Sequence, residues 1–329
     1  MKRIWMCLLA LCLLTSSLCA VADERVYDVP LSSLSLTTGL ETDKADQIMV
    51  AQMDNEPGAR PQKGIASADI VYEIEMYNGG YTRYTAVFND TIPNEIEAVR
   101  STRIVNIDFY LEYGGCFIHF GGQQYEGSNI YDYVKTVNMQ ARFDGLSDST
   151  NFYRDSNRKA PNNVVARFSQ IYNQVNWDST TASSPLHFSA ANFTQGDEAA
   201  NQFSIPYRET SYLPSYVYNP NDGLYYRYYN GERYVDGYTG EQVTCSNVIV
   251  QYMTYDWYNG ASDAPKVTTV GSNRCDYFIN GTHFTGTWVR DSLTSNTIYY
   301  DEAGNEVLFK PGKTFIQTLK DTKEVTIAG

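Results

Sequence analysis

Arg100, Ser101 and Arg103 stand immediately before an apolar stripe of helical spacing, Ile104, Val105, Ile107, Tyr110 and Leu111. The segment Arg154-Asp155-Ser156-Asn157-Arg158-Lys159-Ala160-Pro161 has the same character, with Pro161 suited to the first turn of a helix running to about Val175. Cations at a helix start oppose the macrodipole, at a cost of about 0.3 to 1 kcal/mol each. Guanidinium forks beside free backbone amides could instead hold an anion. The plainer reading is that these arginines pair with the chain's own abundant Asp and Glu. Asp54 and Asn55 close an apolar run, and His119 closes another. An Asp54 and His119 pair could act as orienter and general base, with arginines stabilising negative charge.

The elements that must position these groups follow from pattern. Ile48 to Met53 reads as a first strand. Asp69 to Met76 and Thr82 to Phe88 form a hairpin around Asn78-Gly79-Gly80, carrying Glu73, Glu75 and Arg83. Carboxylates two residues apart share one strand face, so Glu73 and Glu75 are expected on a solvated face. Gly114-Gly115 stops the helix after Arg103, and Cys116 to Phe120 is a short buried strand leaving the sheet at Gly121-Gly122. Strand, hairpin, helix, strand and helix together describe a mixed α/β domain over residues 47–176.

Residues 177–200, rich in Ser, Thr, Ala and Asn, read as a connector or peripheral excursion. Beyond it, Asp222-Gly223, Asn230-Gly231, Asn280-Gly281, Ala303-Gly304 and Pro311-Gly312 punctuate short runs such as Leu224 to Tyr229, Ser246 to Met253, Thr282 to Arg290 and Lys313 to Leu319. A mostly β domain over 201–325 is expected, with Trp257 and Trp288 as packing anchors.

Residues 1–22 have the form of a secretory signal: Lys2 and Arg3, an apolar core from Leu8 to Leu14, and Ala20-Val21-Ala22 before Asp23. Cleavage before Asp23 is favoured over a lipid anchor at Cys19, because Leu18 occupies a position where a lipoprotein signal requires a small residue. A polar leader, 23–46, follows. Without the signal, 23 basic residues face 38 acidic ones, a net charge of −15 against −13 for the whole chain. Such a balance opposes nucleic-acid binding, and no membrane-spanning segment is expected in the mature chain. Cys116, Cys245 and Cys275 remain; Cys116 reads as a buried thiol, and export would permit a Cys245–Cys275 bridge. No sequence pattern calls for a cofactor, and no His or Cys spacing suits a metal.

Five strings, Met53-Asp54-Asn55-Glu56-Pro57-Gly58-Ala59-Arg60-Pro61-Gln62, Ala68-Asp69-Ile70-Val71-Tyr72-Glu73, Gly79-Gly80-x-Thr82-Arg83, Val99-Arg100-Ser101-x-Arg103 and Tyr153-Arg154-Asp155-x-x-Arg158-Lys159-Ala160-Pro161, closely resemble the YerB-like family of bacterial putative lipoproteins. Tyr226-Arg227, Asp236, Asn247 to Gln251 and Gly286-Thr287-Trp288 extend the resemblance into the second half. It implies a two-domain envelope protein of Gram-positive bacteria, usually lipid-anchored, whose biochemical role is unassigned. Where the family usually carries Ala-Pro-His-Asn, this chain has Ala160-Pro161-Asn162-Asn163.

The expected function is binding of an anionic or saccharide envelope component, a cell-wall glycan or phosphate-bearing polymer. Asp54, Asn55, Glu73, Arg83, Arg100, Ser101, Arg103, His119, Arg154, Asp155 and Arg158 are the candidate contacts. The alternatives are a protein-interaction partner of cell-wall machinery and a hydrolase-like enzyme using Asp54 and His119.

Overall fold

The computed structural model describes residues 34–42, 45–137, 139–208 and 213–328. The signal sequence, Cys19 and the cleavage point before Asp23 lie outside the described residues. Strands dominate, with 42% of residues against 11% in helices; the chain is therefore mostly β, and "α/β" overstates the helices of its first half.

Eleven strands form one mixed sheet. From the first half come β1 (Met49–Asp54), β2 (Ile70–Glu75), β3 (Thr82–Phe88), β4 (Cys116–His119) and β5 (Ala141–Asp144). From the second half come β6 (Glu198–Ala199), β7 (Asn247–Met253), β8 (Gly271–Ile279), β9 (Thr282–Arg290), β10 (Ile298–Asp301) and β11 (Thr314–Lys320). The order is β6-β9-β8-β7-β11-β2-β3-β1-β4-β5, and β10 also pairs with β9. Strand β11 runs parallel to both its neighbours, setting Phe315 opposite Val248 of β7 and Val71 of β2. The last long strand thus joins the two halves by backbone hydrogen bonds. Val248, Ile249 and Val250 of β7 and Ile70, Val71 and Tyr72 of β2 give the apolar runs of strands covered on both faces, and β11 buries Phe315, Ile316 and Leu319 between them.

A second sheet is built on Gln202–Ser204, Pro214–Asn219, Leu224–Tyr229 and Thr326–Ala328. It covers one face of the first. Phe203 stacks on Phe278 of β8 at 3.6 Å between centroids, and Tyr216 meets Phe315 edge-on at 6.1 Å. In Leu224–Tyr229 alternate residues Tyr225, Arg227 and Tyr229 point inward, the period expected of a half-covered strand. The opposite face of the main sheet takes helix α1 (Ile104–Tyr110), whose Val105, Ile107 and Phe109 pack with Tyr72, Ile249 and Ile316.

Several sequence expectations need correction. Glu73 and Glu75 are buried: β2 is interior on both faces, and Glu73 Oε2 receives Nη2 of buried Arg227 at 2.6 Å. No helix runs from Pro161 to Val175. The β-branched pair Val164 and Val165 extends into a strand, Val164–Ala166, pairing with Phe152–Arg154 and Ile96–Glu97, and only Phe168–Tyr172 is helical. Cys116, Cys245 and Cys275 are all free and buried, so the permitted bridge is not formed. Trp288 is buried as expected, donating its indole N–H to the Tyr252 carbonyl at 2.8 Å, whereas Trp257 is only partly covered. Within 177–200, His187–Phe188 pairs with Leu308–Phe309, and Glu198–Ala199 joins β9.

Part of the leader is also docked. Thr37 Oγ1 donates to Asp69 Oδ2 at 2.9 Å, which also receives the amides of Asn89 and Asp90. Burial, reinforced by the charge of Asp90, holds the Asp69 carboxyl up at about 6.

The Glu73–Arg227 pair is fully enclosed, so removing one partner leaves the other charge buried alone. Arg227→Met is expected to destabilise the protein by roughly 3–5 kcal/mol. The double variant Glu73→Gln/Arg227→Met is expected to recover much of that loss. Urea unfolding of both variants checks this, and equal losses in the two would contradict it.

Candidate functional site

Asp54 ends β1, where antiparallel pairing sets it opposite Arg83 of β3. The chain then returns alongside: the Asp54 amide donates to Ala98 O and the Arg100 amide to Gln52 O, both at 2.9 Å. This backbone pairing carries Arg100 to Asp54, whose fully buried Oδ2 accepts from Arg100 Nε at 2.8 Å. Arg83 Nε lies 3.8 Å from Oδ1, too far for a hydrogen bond. Its other nitrogens donate to Ser101 O at 2.9 Å and to the Tyr77 hydroxyl at 3.0 Å. The buried Nε of Arg83 has no hydrogen-bond partner among the described residues.

Arg103 completes a group of three cations. It is 5% exposed, and burial, followed by the charge of Arg83, pulls its guanidinium down to about 10. Nε donates to Asp263 O at 2.9 Å, while Nη2 stands 3.7 Å from the Asp263 carboxylate. Glu56 sits among these charges, raised above the usual carboxylate range by its own burial and then by Asp54.

The Arg103 amide does not share in this site. Asn106 Oδ1 accepts the Arg103 amide at 2.7 Å, and its Nδ2 donates to Thr85 Oγ1 at 3.1 Å, so the start of α1 is capped from within the chain. The second basic turn opens no helix. What remains of the expected anion site is its side chains.

Arg154 is held on its own strand, its guanidinium 5.1 Å over the Phe120 ring and donating to Asn163 Oδ1 at 2.8 Å; the Phe120 amide donates to Arg100 O at 3.1 Å. Ser101 Oγ donates to Phe120 O at 3.1 Å. Arg158 and Asp155 belong elsewhere. Arg158 binds the carbonyls of Ala59 and Pro61 and lies 3.5 Å from Glu97. Asp155 and Glu97 both hold Lys63, at 3.0 and 2.9 Å. These contacts fasten the 154–161 turn over the loop that follows β1. Asn55 and Glu73 are structural: Asn55 Nδ2 donates to Glu73 Oε1 at 3.0 Å and to Thr82 Oγ1 at 2.8 Å.

His119 stands on β4 beside β1, with partners other than Asp54. Its ring is buried, with Nδ1 2.8 Å from Gly121 O and Nε2 3.2 Å from Arg142 Nη1. A carbonyl needs N–H at Nδ1, and arginine can only donate, so Nε2 presents its lone pair to Arg142. That occupied lone pair leaves His119 without a base for substrate. Asp54 and His119 have different partners, and the Asp–His arrangement is not formed. Among the described residues there is no metal-ligating cluster, and no helix is long and apolar enough to cross a membrane.

Sequence reasoning missed Tyr77, Tyr125 and Asp263. Tyr125, 41% exposed, donates its hydroxyl to Asp263 Oδ1 at 2.9 Å. No local signal could have joined Arg103 to a loop 160 residues away.

Two family models match: a protein of unknown function (DUF3048), N-terminal domain, over residues 37–181, and the corresponding C-terminal domain over 203–316. The chain belongs to this YerB-like family of two-domain proteins. It is 24% identical over 342 residues to "Putative lipoprotein YerB" of Bacillus subtilis (strain 168), covering all of this chain and 98% of that one. The crystal structure of the B. subtilis YerB protein superposes with a TM-score of 0.77 at 22% identity, over 90% of this chain and 99% of the other, so the two share a fold.

The histidines should titrate in a defined order. Burial lowers His119 below the ordinary imidazole range. Burial also acts to lower His283, but its contacts to Asp276 and Glu198, at 2.8 and 3.3 Å, raise it above that range. On acidification His283 is expected to protonate before His119. His119 thus contributes stability present above the unfolded-state value and lost as pH falls below it. NMR titration of the ring protons checks the order, and protonation of His119 ahead of His283 would refute it.

Proposed function

We propose that this protein is an extracytoplasmic component of the cell envelope that binds an anionic, saccharide-containing envelope polymer at the Arg83, Arg100 and Arg103 group. The observation that carries the reading is the crowding of three cations, of which Arg83 and Arg100 share one fully buried carboxylate, Asp54, while Arg103 has only the partly exposed Asp263 at 3.7 Å. A guanidinium lowered by burial and by a neighbouring cation is one that an incoming anion would stabilise. The exposed ring of Tyr125, whose hydroxyl meets Arg103's partner Asp263, offers an aromatic face for a sugar. The family's lipoprotein relative agrees with attachment at the envelope. Export by cleavage before Asp23 belongs to the same proposal.

The test is mass spectrometry of material retained by protein purified from its native envelope. Arg103→Gln removes the charge while keeping a donor for neighbouring carbonyls, and leaves the Arg100–Asp54 pair in place. This variant is expected to lose most of the bound anionic polymer while unfolding within a few degrees of the parent. Equal retention by both would remove the arginine group from the account.

A further inference from the structure

Asp263 reaches the arginine group from the second half of the chain. It follows a turn, Asn259 and Gly260 with φ of 50° and 69°, at the end of a ribbon formed by Tyr255–Trp257 and Pro265–Val267. The turn lies on first-half loops through two contacts. The Asn78 amide donates to Ser262 O, and Asn259 Nδ2 donates to Glu126 O, each at 2.8 Å. The Asp263 carboxylate then accepts the Tyr125 hydroxyl on Oδ1 at 2.9 Å and forms an ion pair with the Arg103 guanidinium, 3.7 Å from Oδ2, while Arg103 Nε donates to Asp263 O at 2.9 Å. Its side chain keeps 32% of its exposure, and ion pairs so open to water are weak.

We infer that Asp263 is an internal stand-in for the ligand, and that the ligand group taken between Arg103 and Tyr125 is the carboxylate of an acidic sugar. The inference rests on the binding reading above and narrows it. One hydroxyl and one guanidinium facing two coplanar oxygens match a carboxylate; they leave the third oxygen of a phosphate monoester without a donor. The exposed Tyr125 ring stands beside that carboxylate and gives the sugar ring an apolar face. A ligand carboxylate therefore displaces Asp263, and the 258–263 turn lifts from Arg103 as it binds. Asp263 is thereby a specificity element: its own charge must be outcompeted, which selects against neutral sugars.

The probes are D-galacturonate, D-galactose and inorganic phosphate, each titrated calorimetrically into the wild type and Asp263→Asn. The amide keeps the Tyr125 contact and removes the competing charge. Galacturonate is expected to bind Asp263→Asn about tenfold more tightly than the wild type, a difference of about 1.4 kcal/mol, with no comparable gain for galactose or phosphate. In wild-type protein, saturating galacturonate should raise hydrogen–deuterium exchange over residues 258–263, a measurement that needs no variant. Unchanged galacturonate affinity in Asp263→Asn, an equal gain for phosphate, or unaltered exchange in the turn would each overturn the stand-in role. If the inference fails while Arg103→Gln still loses its polymer, the binding reading survives; if Arg103→Gln retains the polymer, that reading fails first.

Discussion

Glu73 and Arg227 meet at 2.6 Å with neither side chain exposed, and most of the molecule is arranged around that contact. Glu73 uses every acceptor it has. Oε1 takes Asn55 and Thr82, Oε2 takes Arg227, and its backbone carbonyl takes the hydroxyls of Tyr207 and Thr318. Asn55 passes the connection to Arg60 and Gln62, and Gln62 passes it to Tyr234 and so to Tyr84. One glutamate therefore ties together the loop after β1, the β2–β3 hairpin, β11 and the second sheet. Enclosing two charges costs several kcal/mol each before their attraction is counted. The tyrosines and Phe315 around Arg227, 4.8 to 5.9 Å from its guanidinium, return part of that through cation–π contact. A network of directed hydrogen bonds fixes one relative placement of the two halves better than an apolar contact of the same size, which tolerates sliding, although the buried Nε of Arg227 has no hydrogen-bond partner among the described residues.

The same network marks where sequence reasoning stopped. Strands with strong β composition and glycine-bounded ends, such as Ile70–Glu75, Thr82–Phe88, Asn247–Met253 and Thr282–Arg290, were legible because local pattern alone decides them. The helix after Arg103 and the strand ending at His119 were legible for the same reason. The burial of Glu73 was not. A Glu-x-Glu spacing reports only which face two residues share, and whether that face meets water depends on β11 and the Leu224–Tyr229 strand, both far along the chain. The helix expected after Pro161 failed because Val164 and Val165 gained more from pairing with Phe152–Arg154 than a short helix offers. Among the site residues, Asp54, Arg83, Arg100 and Arg103 do converge, since cross-strand register and the returning segment after Ala98 are local. Arg158 and Asp155 do not, because Glu97 and Lys63 claim them first.

Net charge explains why basic residues alone were an uncertain guide. With acidic residues outnumbering basic ones 38 to 25, an arginine in this chain finds a carboxylate within reach almost wherever it folds. Arg100, Arg103, Arg158 and Arg227 all do. Pairing is therefore the common condition of arginines here, and cannot by itself separate a structural cation from one that awaits a ligand.

The direction in which each environment moves the charge does separate them. Arg227 is wholly buried, which acts to discharge it, yet Glu73 in contact raises it well above its ordinary value. Its charge is held by the fold through Glu73. Arg103 is almost as buried, but its carboxylate is distant and partly in water, while Arg83 and Arg100 add repulsion, and it is lowered. Folding thus leaves Arg103 less stabilised as a cation than it was in the unfolded chain, the reverse of a structural ion pair. A protein retains such an arrangement at a cost to its own stability unless something outside the chain completes it. The binding we propose sets its external anion at Arg103, between the first-half arginines and the second-half turn, and the buried pair at Glu73 holds those two halves in register across that place.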